Sequence, residues 1–236
     1  MNKYHKEILE LYTSFTGNYS SKHDKNYIGS SKFSYSINTP SSRKLVKDWV
    51  KKHSDLSLGE YVDLLNSLSL GKSHNEFSAI GKLLEYYSSL RKGLDPKLLN
   101  RWLDHAEGWA EVDSICQNNF IADEILSGWA DWYKLIESFS KSTDVHKRRA
   151  SLVLLTGPVS HSLDDRLSKL AFDNIDKLRG EKDILITKAI SWLLRDLIKY
   201  HRQEVETYLA KNSKNLPKIA IRETKNKLKS GHKSGK

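Results

Sequence analysis

Apolar residues recur three and four positions apart along almost the whole chain, the period of helices that turn one face inward. The pattern predicts helices near residues 3–15, 40–53, 57–68, 74–91, 96–106, 109–120, 121–139, 145–156, 162–178, 184–200, 202–210 and 217–229. Boundary chemistry agrees with it. Ser57-Leu58-Gly59-Glu60 has the capping-box pattern ahead of Tyr61, Val62, Leu64 and Leu65. Thr39-Pro40 and Asp95-Pro96 each set a capping side chain before a proline at the first helical position, and Leu216-Pro217 opens the last helix. Strand signals are nearly absent: no Asn-Gly turn and no sustained apolar–polar alternation. Residues 16–38 are polar, Ser/Tyr-rich and the least regular, with one short helix expected around Asn26–Ser31.

The helices recur in pairs. Segments resembling one another begin at Asn75, Gly108, Val145 and Ile184; Ala79 and Ala150 are 71 residues apart, and Ala150 and Ala189 are 39 apart. Steps of that length in a helical chain point to stacked helix pairs of the HEAT kind, each burying its apolar face on the next. The expected fold class is therefore all-α: a curved solenoid of HEAT-like antiparallel helix pairs, with a concave inner surface lined by the second helix of each pair. An irregular helical bundle with accidental spacing is the alternative. Residues 1–228 are expected to form a single repeat domain and 229–236 a basic, disordered tail.

Composition narrows the partners. No run of about 18 apolar residues exists, so no membrane helix is expected, and the charged, amphipathic start MNKYHKEILELYTSF is not a secretory signal. With 39 Lys and Arg against 29 Asp and Glu, the net charge of +10 favours a polyanionic partner. The tail from Lys225, with Arg222 beside it, holds six of those 39 cations, so the rest of the chain is expected to remain basic. The single cysteine, Cys116, excludes an internal disulfide and reads as a small buried hydrophobe. No Cys/His spacing suggests a metal, and neither metal nor cofactor is expected. A reducing, cytoplasmic setting fits, nucleoid-associated in a prokaryote.

Two segments carry candidate chemistry. Trp109 and Asp113 are i and i+4 and share a helix face, while Val112, Ile115 and Cys116 turn toward the core. An indole and a carboxylate are thus expected side by side on an exposed face; an ordinary surface Asp beside a half-buried Trp is the alternative. Lys188, Trp192 and Arg195 likewise share a face, opposite Ala189, Ile190, Leu193 and Leu194. Two cations flanking an indole suit phosphates and a base or sugar, or else cationic stems lying over a packed Trp. His146-Lys147-Arg148-Arg149 opposes the dipole at a predicted helix start, which an anion would offset. Arg43 and Lys47 form a further basic stripe.

Taken in order, these residues resemble AlkD-type DNA alkylation repair glycosylases. The resemblance rests on Ile37-Asn38-Thr39-Pro40-Ser41-Ser42-Arg43 with Lys47-Asp48, Glu76-Phe77-Ser78-Ala79, Trp109-Ala110-Glu111-Val112-Asp113-Ser114-Ile115, Arg149-Ala150, Lys188-Ala189-Ile190-Ser191-Trp192-Leu193-Leu194-Arg195 and Arg222-Glu223, and spans residue 27 to about 228. It implies a curved HEAT-like array, and its most specific segments are those of Trp109 and Trp192. It implies catalytic roles for Asp113, Trp109 and Trp192 in a concave basic cleft, and phosphate contacts from Arg149 and Arg195. Tyr27 and Asn38, with Arg43 nearby, would face DNA. Arg148, Lys188 and Lys47 join them as expected phosphate contacts. The chain departs from the family pattern at Asn38 for a longer Gln, Ser36 for Gly, Ile184-Leu185 for an aromatic pair and His146 for an aromatic residue.

The implied activity is excision of cationic alkylated purines, N3-methyladenine, N7-methylguanine or bulkier adducts, from double-stranded DNA by a monomer. A purine carrying that positive charge leaves as a neutral base, so no general acid is required; one carboxylate can stabilise the sugar cation and orient water. Two indoles offer π-faces worth about 0.5–2 kcal/mol each to a cation. The rivals are a non-catalytic HEAT-repeat binder of distorted or branched DNA and a HEAT-type protein scaffold. A carboxylate buried in the fold, or turned away from both rings, is the observation that opposes the enzyme reading.

Overall fold

The computed structural model describes residues 1–16 and 28–235. Among these the chain is helical, with one isolated bridge, Phe33 to Ser73, as its only β pairing. It divides into two compact units, Met1–Ile115 and Cys116–Lys236.

The first unit holds α1 (Lys3–Thr13), α2 (Thr39–Lys52), α3 (Leu58–Ser69), α4 (His74–Tyr86), the single turn α5 (Ser88–Arg91), α6 (Leu98–Leu103) and α7 (Trp109–Cys116), the last ending one residue beyond the unit. α1 packs on α2, α3 and α4 through His5, Ile8 and Tyr12, one face at helical spacing. The capping box at Ser57 forms as expected, and a second joins Ser73 to Glu76 at the start of α4. The cap of α2 is Asn38 rather than Thr39: its side chain accepts from the Ser41 amide at 2.8 Å, and Pro40 falls inside the first turn. Helix α4 is the centre of this unit, buried at nine of its thirteen positions. Gly81 lets it approach α7 so closely that a Cβ there would lie 1.8 Å from the Ser114 carbonyl oxygen.

The second unit holds α8 (Ala122–Ser127), α9 (Trp129–Ser140), α10 (Val145–Val159), α11 (Asp165–Leu178), α12 (Ile184–Asn212) and α13 (Lys218–Ser230). Every residue of α10 from Arg149 to Val159 is buried, because α8, α9, α11 and α12 pack around it. A helix apolar on all sides belongs at the middle of a core. The two expected helices 184–200 and 202–210 are one element with a break in helical geometry at His201, φ −123° and ψ 36°. The buried His201 ring meets the Ser162 carbonyl at 3.0 Å and Glu204 at 2.9 Å, which anchors the break. The expected disordered tail is corrected in part: α13 runs to Ser230, Gly231 closes it at φ 78°, and the Asn226 side chain donates to the Lys233 carbonyl at 3.0 Å.

Candidate active site

The candidate residues fall in two groups, one in each unit. In the first, the α7 start is held by a non-helical segment that crosses it. Gly108 admits this segment: a Cβ there would lie 2.4 Å from the Ile28 carbonyl oxygen. Gly29, at φ 68°, sits against the Trp109 indole, where a Cβ would be 3.4 Å from Cδ1. Tyr27 lies outside the described residues.

The residue that organises this corner is Glu111, which the sequence pattern did not single out. It is wholly buried. Its carboxylate accepts from Ser30 Oγ at 2.7 Å and the Glu107 amide at 2.8 Å, and meets His74 Nδ1 at 3.2 Å and Lys32 Nζ at 3.5 Å. Burial favours the neutral acid, but the His74, Glu107 and Ser30 hydrogen bonds outweigh it and hold Glu111 below the usual carboxylate range. Glu111 thus ties the 28–32 strap and α4 to the start of the helix that carries Trp109 and Asp113.

Trp109 is half-buried and Asp113 retains only 9% of its surface. The expectation of a carboxylate on an exposed face is therefore corrected. The core assignment of Val112, Ile115 and Cys116 holds, all being buried. Helical spacing cannot distinguish an open face from a recessed one; the strap packs on the start of α7 through Ser30 and Glu111, 81 residues apart. Asn38 spends its side-chain oxygen on capping α2. Arg43 pairs with Glu85 at 2.6 Å, and Lys47 is exposed.

Lys82, one turn after Ser78, is a second polar residue that sequence reasoning missed. It is 8% exposed, with its amine donating to Ser78 O at 3.1 Å and Oγ at 3.0 Å. Burial, with the Arg43 charge adding to it, pushes its pKa down to about 7.

In the second unit the α12 face is as expected. Ala189, Ile190, Leu193 and Leu194 are fully buried, Lys188 is exposed, and Trp192 and Arg195 are half-buried. Arg195 Nε donates to the Ser191 carbonyl at 3.1 Å and lies 3.5 Å from Glu223. Ser191 Oγ donates to the same Glu223 oxygen at 2.7 Å, so α13 steadies the arginine. Asp196, one turn beyond Trp192, has its pKa raised by burial, partly offset by Lys227 and Arg195.

The two arginines of α10 are engaged within the fold. Arg149 is 5% exposed and donates to the Leu185 carbonyl at 2.6 Å, joining α10 to α12. Arg148 binds Glu181 through two hydrogen bonds of 2.7 and 3.1 Å and also donates to the Ser142 and Thr143 carbonyls. Both guanidiniums are committed to holding helices together. An acid at position 181, 33 residues downstream, supplies the offset that the sequence reading assigned to an external anion.

Residues 17–228 match the family described as DNA alkylation repair enzyme. The chain belongs to that family. A solved structure described as a predicted DNA alkylation repair enzyme from Enterococcus faecalis shares the fold at 17% identity and a TM-score of 0.70, covering 87% of this chain and 93% of that one. No curated protein matches the sequence. As a member of the DNA alkylation repair enzyme family, the protein is assigned to repair of alkylated DNA. No helix among its described residues is long and apolar enough to cross a membrane.

Proposed function

We propose that this DNA alkylation repair family member is a monofunctional DNA glycosylase that hydrolyses the N-glycosidic bond of N3- and N7-alkylated purines in duplex DNA. The observation that carries the reading is the carboxylate of Asp113 one turn from the Trp109 indole on α7, in a chain matched to the family over 212 residues, 17–228. Asp113 stabilises the oxocarbenium-like sugar and orients water. Its recessed position, at 9% exposure, is the observation that weighs against this reading, and the family match over most of the chain is what outweighs it. Trp109, on the same helix as Asp113, offers its π-face to the cationic nucleoside. Arg43, Lys47, Lys188 and Arg195 supply phosphate contacts; Arg148 and Arg149 join them only by giving up the bonds that hold α10.

The burial of Asp113 favours a second reading, a non-catalytic binder of distorted or branched DNA. Release of free base from duplexes carrying single 7-methylguanine or 3-methyladenine lesions separates the two. Excision by the wild-type chain that disappears in Asp113→Asn supports the glycosylase. Tight binding to the same duplexes with no base released supports the binder.

A further inference from the structure

The positive charge of this protein is concentrated at one end of the sequence. Residues 211–236 carry nine Lys or Arg against one Glu, leaving 30 against 28 in residues 1–210. The rest of the chain stays basic, as expected, but only by two charges. Of the net charge of +10, +8 belongs to this segment (nine cations less one anion).

Four of those nine cations lie on one face of α13. Ala220 and Thr224 of α13 are fully buried against the unit, and Lys227 lies over Asp196 at 4.0 Å. Lys218, Arg222, Lys225 and Lys229 follow at spacings of four, three and four, and all four are exposed. At 100° per residue they fall on the side opposite Ala220. The one acid of the helix, Glu223, accepts from Ser191 at 2.7 Å and lies 3.5 Å from Arg195, with Arg222 of the stripe 4.0 Å from its other oxygen. Adjacent stripe residues are about 4.5–6 Å apart along the axis, a spacing that lets a row of cations follow the successive phosphates of one strand.

Helix electrostatics do not account for the stripe. Lys227 and Lys229 in the last turn favour the dipole, but Lys218 opens the helix at its positive end, with no acid in the first turn. Nor does the face suit a lipid surface, which calls for large apolar side chains beside the cations. Here Ile219, Ile221 and Leu228 are only half-exposed and flank the packing side.

We infer that the outer face of α13 is a DNA-backbone contact surface, through Lys218, Arg222, Lys225 and Lys229, separate from the residues assigned to the lesion. It rests on the proposed action on duplex DNA and adds sequence-independent affinity to it. The test is the full chain with all four residues changed to Gln, a good helix former. Binding to undamaged duplex is measured across a salt series, with circular dichroism confirming unchanged helicity. Each phosphate contact contributes about 0.9 to the slope of log K against log salt, so the slope falls by about two to four and affinity at about 0.1 M salt by ten-fold or more. An unchanged slope and affinity overturn the inference. So does loss of binding to phosphatidylserine vesicles with the DNA slope intact, which would make the face a membrane contact. Single-turnover excision at saturating enzyme is measured in parallel. A reduced slope in a chain that releases no base keeps this surface while removing the glycosylase reading; excision with an unchanged slope does the reverse.

Discussion

Asp113 and Lys82 show how burial changes what an ionisable residue can do. Asp113 is expected to tolerate Asn in shape while losing the charge that the sugar cation requires. Asp113→Asn should lower base release by at least about a hundred-fold, the scale of removing one preorganised electrostatic group, with duplex affinity changed little. Retention of full release rates in that variant, measured as free 7-methylguanine, would falsify the catalytic assignment. Lys82 gives a prediction of opposite kind. Its pKa is about 7 in the folded chain and about 10.4 when unfolded. Between those values the unfolded chain binds more protons, so the contribution to stability rises with pH. Lys82→Met should remove that rise between about pH 7 and pH 10; urea midpoints that climb equally in both chains would exclude it.

At the level of elements, close helix contacts are set by glycine. Ala is ordinarily worth about 1 kcal/mol over Gly in a helix interior. At position 81 the sign should reverse, because the new Cβ meets the Ser114 carbonyl, a backbone atom that cannot swing away. Gly81→Ala should therefore destabilise by about 1–3 kcal/mol, the cost of overpacking, and lower the melting temperature by several degrees. A rise in melting temperature would mean that α4 and α7 do not approach as described. The helix pattern itself was legible in detail. The period placed most helices within a few residues, but the expected 74–91 and 121–139 each divide in two, at Tyr87 and Gly128, 109–120 ends at Cys116, and the 200–202 boundary survives as the break at His201. Two further departures have local causes: α2 is capped by Asn38 because an Asn side chain reaches the third amide as well as Thr does, and the 96–106 prediction shrinks to Leu98–Leu103 after a turn closed by Asp95 on the Lys97 amide.

For the whole molecule, acid sensitivity should come from two buried carboxylates. Glu76 is opposed by burial but held below the usual range by His5 and Ser73, as Glu111 is by His74, Glu107 and Ser30. Groups with depressed folded values stabilise above their unfolded value, about 4.3, and lose that contribution as pH falls through the lower folded value. The thermal midpoint should drop steeply below about pH 4.3. The double variant Glu76→Gln, Glu111→Gln should start less stable at pH 7 and show a shallower drop; an identical slope in the two proteins would place the acid sensitivity elsewhere.

The sequence alone determined that this protein is all-helical, which helix faces are apolar, and which family it resembles, because periodicity and capping are written within a few residues of each other. Only the tertiary structure decided the state of the polar groups on those faces. It recessed Asp113, committed Arg148 and Arg149 to helix contacts, and made Glu111 a buried hub. The roles of Glu111, Arg149 and Arg148 depend on partners far away in sequence, Ser30 at 81 residues, Leu185 at 36 and Glu181 at 33. A polar side chain at a given spacing is equally compatible with solvent, a ligand or such a partner, and folding is what selects among them.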